Sequence, residues 1–185
     1  KLGLETFKEL VAEELKTMRH DPKWTELIEN LEVTEENPKT PAASAPTVGS
    51  EGFTSWMSYN VREQKQAGYY LVTVQVPLGD LSPKQMRAIA AISRSKASDS
   101  VRFTVDQNLV LRYVSGSDLE GVYNDLNVLG LAKGRAGTIK DMTACPGTDT
   151  CKLGTSSSRG LAFGLEQHLE KKGKLRPEIE SLKIK

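Results

Sequence analysis

The spacing of hydrophobic and polar positions in the first part of the chain is helical. Glu and Lys separate apolar residues that recur every three or four positions, which predicts an amphipathic helix over residues 4–18. Asp21 followed by Pro22 is typical of a helix start, and a second short helix is predicted to follow it. The apolar positions of the two helices are Leu4, Phe7, Val11, Leu15, Met18, Trp24, Leu27, Ile28 and Leu31. We expect these helices, residues 1–31, to be a segment of a preceding module that packs on a neighbour.

The pattern is lost after residue 31. Residues 32–52 are rich in Pro, Ser, Ala and charged side chains and show no apolar periodicity, which is typical of a linker. We therefore predict a domain boundary here, with residues 32–55 as the linker and a compact unit starting at Trp56.

From Trp56 onward, short alternating stretches and helical stretches succeed one another. Capping boxes at 82–85 and 117–120 predict the starts of two helices, the second of which ends at Gly130. Strands are predicted at 56–61, 69–76, 101–105 and 109–114, with a tight turn at 106–108, and an extended segment leads on towards residue 145. This order predicts an α+β fold with the split βαβ arrangement of ferredoxin-like domains over residues 56–140.

Composition and charge narrow the possible functions. The chain has 185 residues, 38% of them hydrophobic, which is enough for one or two domains with a core. Its 25 basic and 24 acidic residues are interspersed, so neither a nucleic-acid partner nor an anionic membrane surface is expected. No apolar run approaches a membrane span. Two cysteines exclude a disulfide framework and favour the cytoplasm.

The candidate chemistry lies in a pair of cysteines, Cys145 and Cys151, with five residues between them. Thiolates are soft ligands for iron–sulfur clusters and zinc, and Pro146 and Gly147 allow the turn that would aim both sulfurs at one metal. Such a centre needs about four protein ligands, and neither histidine, His20 or His168, is suitably spaced. The spacing alone leaves three interpretations open: metal ligands, a small disulfide loop, or two buried thiols.

The sequence around the pair carries a resemblance. Cys145 and Cys151, with residues 136–144 before them, resemble the first half of the cluster motif of sirohaem-containing nitrite and sulfite reductases. Residues 68–79 and 101–112 are similar to the ferredoxin-like half-domain of that family. The resemblance runs from about Trp56 to the C-terminus. It implies a parent oxidoreductase that passes six electrons to nitrite or sulfite at a sirohaem coupled to a 4Fe-4S cluster, with Cys145 and Cys151 as the first two cluster ligands.

The resemblance also implies that the chain is a fragment. In the family a second cysteine pair follows further along, and its position falls past Lys185. Residues 141–185 are then the N-terminal part of a truncated 4Fe-4S/sirohaem-binding domain, and the absence of an initiator Met agrees with this. The expected partners are the rest of the reductase, the nitrite or sulfite anion, and an electron donor protein or domain. We expect the isolated piece to be inactive and to hold neither the cluster nor sirohaem.

The resemblance assigns no catalytic residue to this chain. The first repeat of the family has a basic residue just before a strand-end Gln, where this chain has Asp106, which would repel an anion. Lys133 and Arg135, in a glycine-rich loop, could meet a carboxylate of the macrocycle or could belong to a plain connection. Cys151 lies in the first turn of a helix if Thr148 caps it; alternatively, the run at 155–158 marks a later start.

A second function remains open. A ferredoxin-like fold hosts many activities, and a free-standing module with a redox-active or dimer-bridging cysteine pair, without reductase activity, would share these features. A stop codon after Lys185 would favour that alternative.

Overall fold

The computed structural model describes residues 2–19, 21–30, 36–46, 49–173 and 175–185, and it divides into two units, Lys1–Glu35 and Glu36–Lys185. The first unit contains α1 (Leu4–Thr17) and α2 (Pro22–Glu29), as predicted. The Asp21 carboxylate caps α2 by accepting a hydrogen bond from the Lys23 N–H at 3.0 Å. Neither helix buries a side chain. His20 and Leu31, named above, lie outside the described residues.

The second unit is built on a four-stranded antiparallel sheet. Its strands are β1 (Val61–Glu63), β2 (Tyr69–Val74), β3 (Val101–Phe103) and β4 (Leu109–Ser115), in the order β1-β2-β4-β3. The remaining helices are α3 (Glu51–Asn60), α4 (Pro83–Lys96), α5 (Leu119–Val128), α6 (Ser158–Lys172) and α7 (Pro177–Glu180). Because α4 connects β2 to β3 and β4 lies between those two strands, the split βαβ arrangement is confirmed and the fold is α+β and ferredoxin-like.

The core lies between the sheet and the helices. Val72 pairs with Leu111 and Val74 with Leu109, so alternate residues of β2 and β4 point to one face. The fully or nearly fully buried residues on that face and on α4 and α5 are Val72, Val74, Ile89, Ile92, Leu109, Leu111, Val114, Leu119, Val122 and Leu126. Each such side chain contributes about 1.5–3 kcal/mol by burial, so the alternation read in the sequence accounts for the core.

The two predicted capping boxes have different outcomes. At α4 the box is present, because Ser82 Oγ accepts from the Gln85 N–H at 3.3 Å and Gln85 Oε1 accepts from the Ser82 N–H at 2.9 Å. At α5 it is absent, and the prediction was wrong. The Ser117 hydroxyl is instead bonded to that of Ser115 at 3.1 Å, so it does not cap the helix.

The strand predicted at residues 56–61 is wrong for all but its last residue. Residues 51–60 form α3, capped by Ser50, whose hydroxyl accepts from the Phe53 N–H at 3.2 Å. Phe53 and Trp56 are three positions apart, lie on one face and pack on the Tyr123 ring with centroids at 5.4 and 5.5 Å. The sequence did not show this helical period, because assigning Phe53 to the linker left too few residues in the window to reveal it.

Part of the predicted linker packs on the sheet. The Ala43 N–H donates to the Gly68 carbonyl at 3.2 Å, and the Gly116 N–H donates to the Ala43 carbonyl at 3.1 Å. Gly116 is required here, since a Cβ would collide with the backbone of Ala43 and Ser44. Residues 36–46 therefore belong to the second unit, while the domain limits predicted from composition stay a prediction.

The chain after α5 crosses the unit without forming a strand. The sheet edge beside β2 is occupied by β1, so the extended segment expected before Cys145 does not enter the sheet. It is joined to the end of the described chain by backbone hydrogen bonds from Ile139 to Glu180 at 2.9 Å and from Thr143 to Ile184 at 3.1 Å. Residues 182–185, at the end of the chain, likewise form neither a helix nor a strand. Within the described ranges, no helix is long and apolar enough to cross a membrane.

Candidate metal centre

Both cysteines lie on one compact loop, residues 145–158, which we call the cysteine loop. Its backbone folds on itself: the Cys151 N–H donates to the Gly147 carbonyl at 2.9 Å and the Thr148 N–H to the Ser156 carbonyl at 3.2 Å. Gly147 has φ +57°, and a Cβ there would lie 2.7 Å from the Ser156 carbonyl oxygen, so only glycine fits. Cys145 and Cys151 are free thiols and both are exposed. The loop thus presents two thiols from an ordered backbone.

The Ser158 hydroxyl is a polar partner of Cys145. It lies 3.2 Å from Cys145 Sγ and 3.2 Å from the Cys145 carbonyl oxygen, and its one proton can be donated to either atom. Hydrogen bonding from Ser158, and then from the Gly147 N–H, holds the pKa of the Cys145 thiol below its ordinary value. The thiolate is the form that binds metal. This side of the loop therefore favours the thiolate form of Cys145.

Cys151 is not in the first turn of a helix, so one of the two predicted arrangements is wrong. Helix α6 begins at Ser158, and the Ser157 hydroxyl caps it by accepting from the Gly160 N–H at 3.1 Å. The hydroxyl-rich run at 155–158 supplies the cap, and the turn at 147–149 remains separate from the helix. The dipole of α6 therefore acts on the end of the loop, next to Ser158, and not on Cys151.

The two thiols are the kind of ligand that an iron–sulfur cluster takes, but there are fewer of them than a cluster needs. Two soft thiol ligands are in place, whereas a structural zinc site or a 4Fe-4S cluster takes about four. Over the part of the chain that the structure describes, no group of three or more His, Cys, Asp or Glu side chains could hold a metal ion. His168 is exposed on α6. The cysteine loop can supply two ligands of such a centre.

A cleft of about 390 Å³ opens beside the cysteine loop. Its lining includes Leu78, Gly79, Gln107, Ala144, Pro146 and Arg159. Leu78 and Gln107 have φ values of +54° and +60°, a left-handed conformation that is uncommon for residues with side chains and that recurs at functional sites. Sequence reasoning missed Gln107, Ser158 and Arg159, because nothing in their local patterns shows that these positions meet.

Arg135 is engaged inside the chain, which favours the plain connection over the contact with a macrocycle carboxylate, the other alternative for this loop. Its side chain is 5% exposed and forms ion pairs with Glu166 at 2.5 Å and Glu170 at 2.7 Å. Lys133 also pairs with Glu170, at 3.1 Å. Both cations are therefore neutralised by α6, and the glycine-rich loop serves as a connection that ties α6 to the sheet.

Asp106 has internal cationic partners as well. Lys183 lies 2.7 Å and Lys185 2.8 Å from its two carboxylate oxygens. Hydrogen bonds from these ammonium groups, Lys183 first, lower the pKa of Asp106 and keep it ionised. The repulsion of an anion expected from Asp106 is thus offset by two neighbouring lysines.

The fold and the loop define the class: an α+β ferredoxin-like unit followed directly by a loop with two exposed thiols. Residues 62–129 match the family described as the nitrite/sulfite reductase ferredoxin-like half domain. This range contains the whole split βαβ arrangement from β2 to α5. This part of the chain is therefore similar to the ferredoxin-like half domain of nitrite and sulfite reductases.

The relatives agree with this assignment. The chain is 26% identical over 110 residues to a ferredoxin–nitrite reductase of Synechococcus elongatus, covering 60% of this chain and 22% of the relative. It is 31% identical over 105 residues to sulfite reductase [ferredoxin] 2 of Mycolicibacterium paratuberculosis, covering 57% and 19%. The solved structure of the Mycobacterium tuberculosis NirA protein is similar with a TM-score of 0.54 and 27% identity, over 71% of this chain and 23% of that chain. The chain thus spans about a fifth of the length of these relatives.

Proposed function

We propose that this chain is part of a sirohaem- and 4Fe-4S-dependent oxidoreductase that reduces nitrite or sulfite with six electrons, and that Cys145 and Cys151 are the first two ligands of its cluster. One observation carries the proposal: a half domain of the reductase family leads into an ordered loop that exposes both thiols. The cytoplasm is the location we propose. A ferredoxin-like protein is the proposed electron donor, because the relatives' names specify ferredoxin.

When bound, the cluster and the sirohaem supply the electron storage and the anion-binding iron. This chain's own residues prepare the ligands. A thiol must lose its proton to bind iron, and the hydrogen bonds from Ser158 and Gly147 make that loss easier at Cys145. The folded backbone of the cysteine loop holds Cys151 near the same turn, through its N–H bond to Gly147 at 2.9 Å.

The isolated chain is predicted to hold neither a native cluster nor sirohaem and to be inactive, since it offers two of about four thiolates. The remaining ligands would come from the rest of the parent chain. Anaerobic reconstitution of the isolated chain followed by iron and sulfide analysis tests this expectation. Stoichiometric iron–sulfur absorption in the isolated chain would contradict it.

The decisive experiment uses the parent protein. The gene beyond codon 185 is expected to encode a Cys-x3-Cys motif. In the parent, Cys145→Ser and Cys151→Ser should each remove most of the iron and labile sulfide and the reductase activity, because a four-thiolate centre loses a ligand. Thr155→Ala, a substitution at an exposed position of the loop, should leave both unchanged. Full iron content in both cysteine variants would exclude the proposed ligands.

The exposure of both thiols also supports a second candidate, a free-standing module with a redox-active or dimer-bridging cysteine pair. A stop codon directly after codon 185 would favour this candidate. A thiol titration with and without reductant then separates the cases. Loss of two reactive thiols on air oxidation supports the redox pair, and two reactive thiols under both conditions exclude a disulfide.

A further inference from the structure

The residue before Cys145 is held by a side chain from a distant part of the sequence. Gln107, in the turn between β3 and β4, donates from Nε2 to the Ala144 carbonyl at 3.1 Å and accepts at Oε1 from the Ala144 N–H at 3.3 Å. An amide side chain that both donates to and accepts from one residue restrains the position and the orientation of that backbone. Gln107 therefore fixes the start of the cysteine loop.

The turn that carries Gln107 is itself well supported. Thr104 Oγ1 accepts from the Asn108 N–H at 3.1 Å and from the Asp106 N–H at 3.3 Å. Asn108 is 2% exposed and donates to the Asp141 carboxylate at 2.9 Å. These bonds hold Gln107 in its left-handed conformation, so its amide is presented to Ala144 by a rigid element.

The other end of the cysteine loop has an anchor of its own. Arg159 follows Ser158, the last residue of the loop, and its guanidinium forms an ion pair with Asp80 and donates to the Leu78 carbonyl at 3.3 Å. Both anchors reach the rim of the same cleft, formed by the turns after β2 and between β3 and β4. The loop is thereby attached at both ends to the ferredoxin-like half domain.

We propose that Gln107 and Arg159 are positioning residues that hold the two ends of the cysteine loop against the half domain, so that Cys145 is placed for ligation before any metal is present. When a loop is ordered in advance, the binding step no longer includes the entropic cost of ordering it. Residues that do not bind the metal themselves commonly orient the ligands. The use of the loop for metal ligation rests on the proposed function. The anchoring of the loop to the half domain can be measured without a cluster.

Hydrogen exchange of the metal-free chain tests the anchors. Gln107→Ala and Arg159→Ala should each speed exchange of the loop amides of Thr148, Cys151 and Gly154 by about five- to tenfold, the effect of losing one or two hydrogen bonds. The β2 peptide should keep its exchange rate. Gln167→Ala and Arg87→Ala, at exposed positions on α6 and α4, serve as matched controls and should leave the loop unchanged.

A charge swap gives an independent test by rescue. Arg159→Asp and Asp80→Arg should each speed loop exchange, because like charges then face each other. The double variant restores an ion pair of opposite sense and should return the loop most of the way to its original rate. An effect of either residue that does not depend on the Arg159–Asp80 ion pair would give no such rescue.

Unchanged loop exchange in both alanine variants, or an equal increase in the β2 peptide, would overturn the proposal. The proposed function fails separately, by full iron content in the parent's cysteine variants. Faster loop exchange with no iron dependence on Cys145 would leave the anchors in place and exclude Cys145 as a cluster ligand.

Discussion

Ser158 is the residue that most directly sets the chemistry of Cys145. Its hydroxyl lies 3.2 Å from the Cys145 sulfur and 3.2 Å from the Cys145 carbonyl oxygen, so its one proton can be donated to either atom. Because α6 begins at this residue, the helix holds the hydroxyl in place. The state of the thiol is thus set by a residue thirteen positions away in sequence.

Removing this hydroxyl should make Cys145 a weaker acid. In a Cys151→Ser background, Ser158→Ala is expected to shift the pH profile of Cys145 alkylation upward, because the hydrogen bond favours the thiolate and its loss raises the pKa. At neutral pH, alkylation should slow several-fold. The pH profile is obtained by quenching iodoacetamide reactions at a series of pH values and quantifying the alkylated Cys145 by mass spectrometry.

Thr155→Ala is the control for that comparison, since it removes a hydroxyl from an exposed position on the same loop. An identical pH profile with and without the Ser158→Ala substitution would contradict the role of the Ser158 hydroxyl.

At the scale of elements, the segment 36–46 is attached to the sheet by Glu36. The Glu36 carboxylate forms ion pairs with Arg102 at 2.5 Å and Arg112 at 2.6 Å and accepts from the Ser100 hydroxyl at 2.8 Å. Burial by itself would raise the pKa of Glu36, but these donors outweigh it and hold the pKa below its ordinary value. Glu36 thus joins a segment of linker-like composition to β3 and β4.

Glu36→Gln should lower the free energy of unfolding at pH 7 by about 1–3 kcal/mol, since charge-assisted hydrogen bonds are lost. The pKa is lower in the folded state, so this stability is present above the unfolded pKa of about 4.3 and is lost as pH falls through the folded value. The difference in the free energy of unfolding between Glu36→Gln and the unsubstituted chain should therefore become smaller at acidic pH. Urea unfolding at pH 7 and at acidic pH measures it.

Glu63→Gln, at an exposed glutamate on the edge strand β1, is the matched control and should stay within about 0.5 kcal/mol of the parent. A pH-independent gap for Glu36→Gln would indicate lost packing in place of lost charge.

At the scale of the whole molecule, the second unit has a core of its own. Trp56, Leu111, Leu119 and Leu126 are completely buried in a cluster that draws on α3, α5 and the sheet. The first unit, described by itself, has helices of 14 and 8 residues without a buried side chain. Among the described residues, those that form a buried core therefore lie in the second unit.

Residues 36–185 expressed alone should unfold in one cooperative transition, because one contiguous core, with buried residues from Phe53 to Ala132, joins the sheet to α3, α4 and α5. A peptide of residues 2–30 should show little helix in water, because helices of this length are marginal without packing. Circular dichroism during heating checks both. A broad, non-cooperative transition of residues 36–185 would contradict an independent core.

The sequence by itself determined the elements whose signals are local. These signals each span only a few positions: the alternating residues of β2 and β4, the capping box at Ser82 and the helix end at Gly130. The split βαβ arrangement could therefore be predicted from the sequence. The same holds for Cys145 and Cys151 as the candidate ligands, because soft ligands at close spacing are visible in the chain. That they are ligands remains a prediction.

Only the tertiary structure decided which polar groups meet. In the sequence Arg135 is a candidate partner for an anion, but α6 brings Glu166 and Glu170 to it, and Gln107 has no visible role until the 106–108 turn reaches Ala144. These contacts join positions 31 to 37 residues apart, and their formation depends on packing that no local pattern encodes. The candidate ligands could be read from the chain, whereas the contacts that hold their loop in place are a property of the fold.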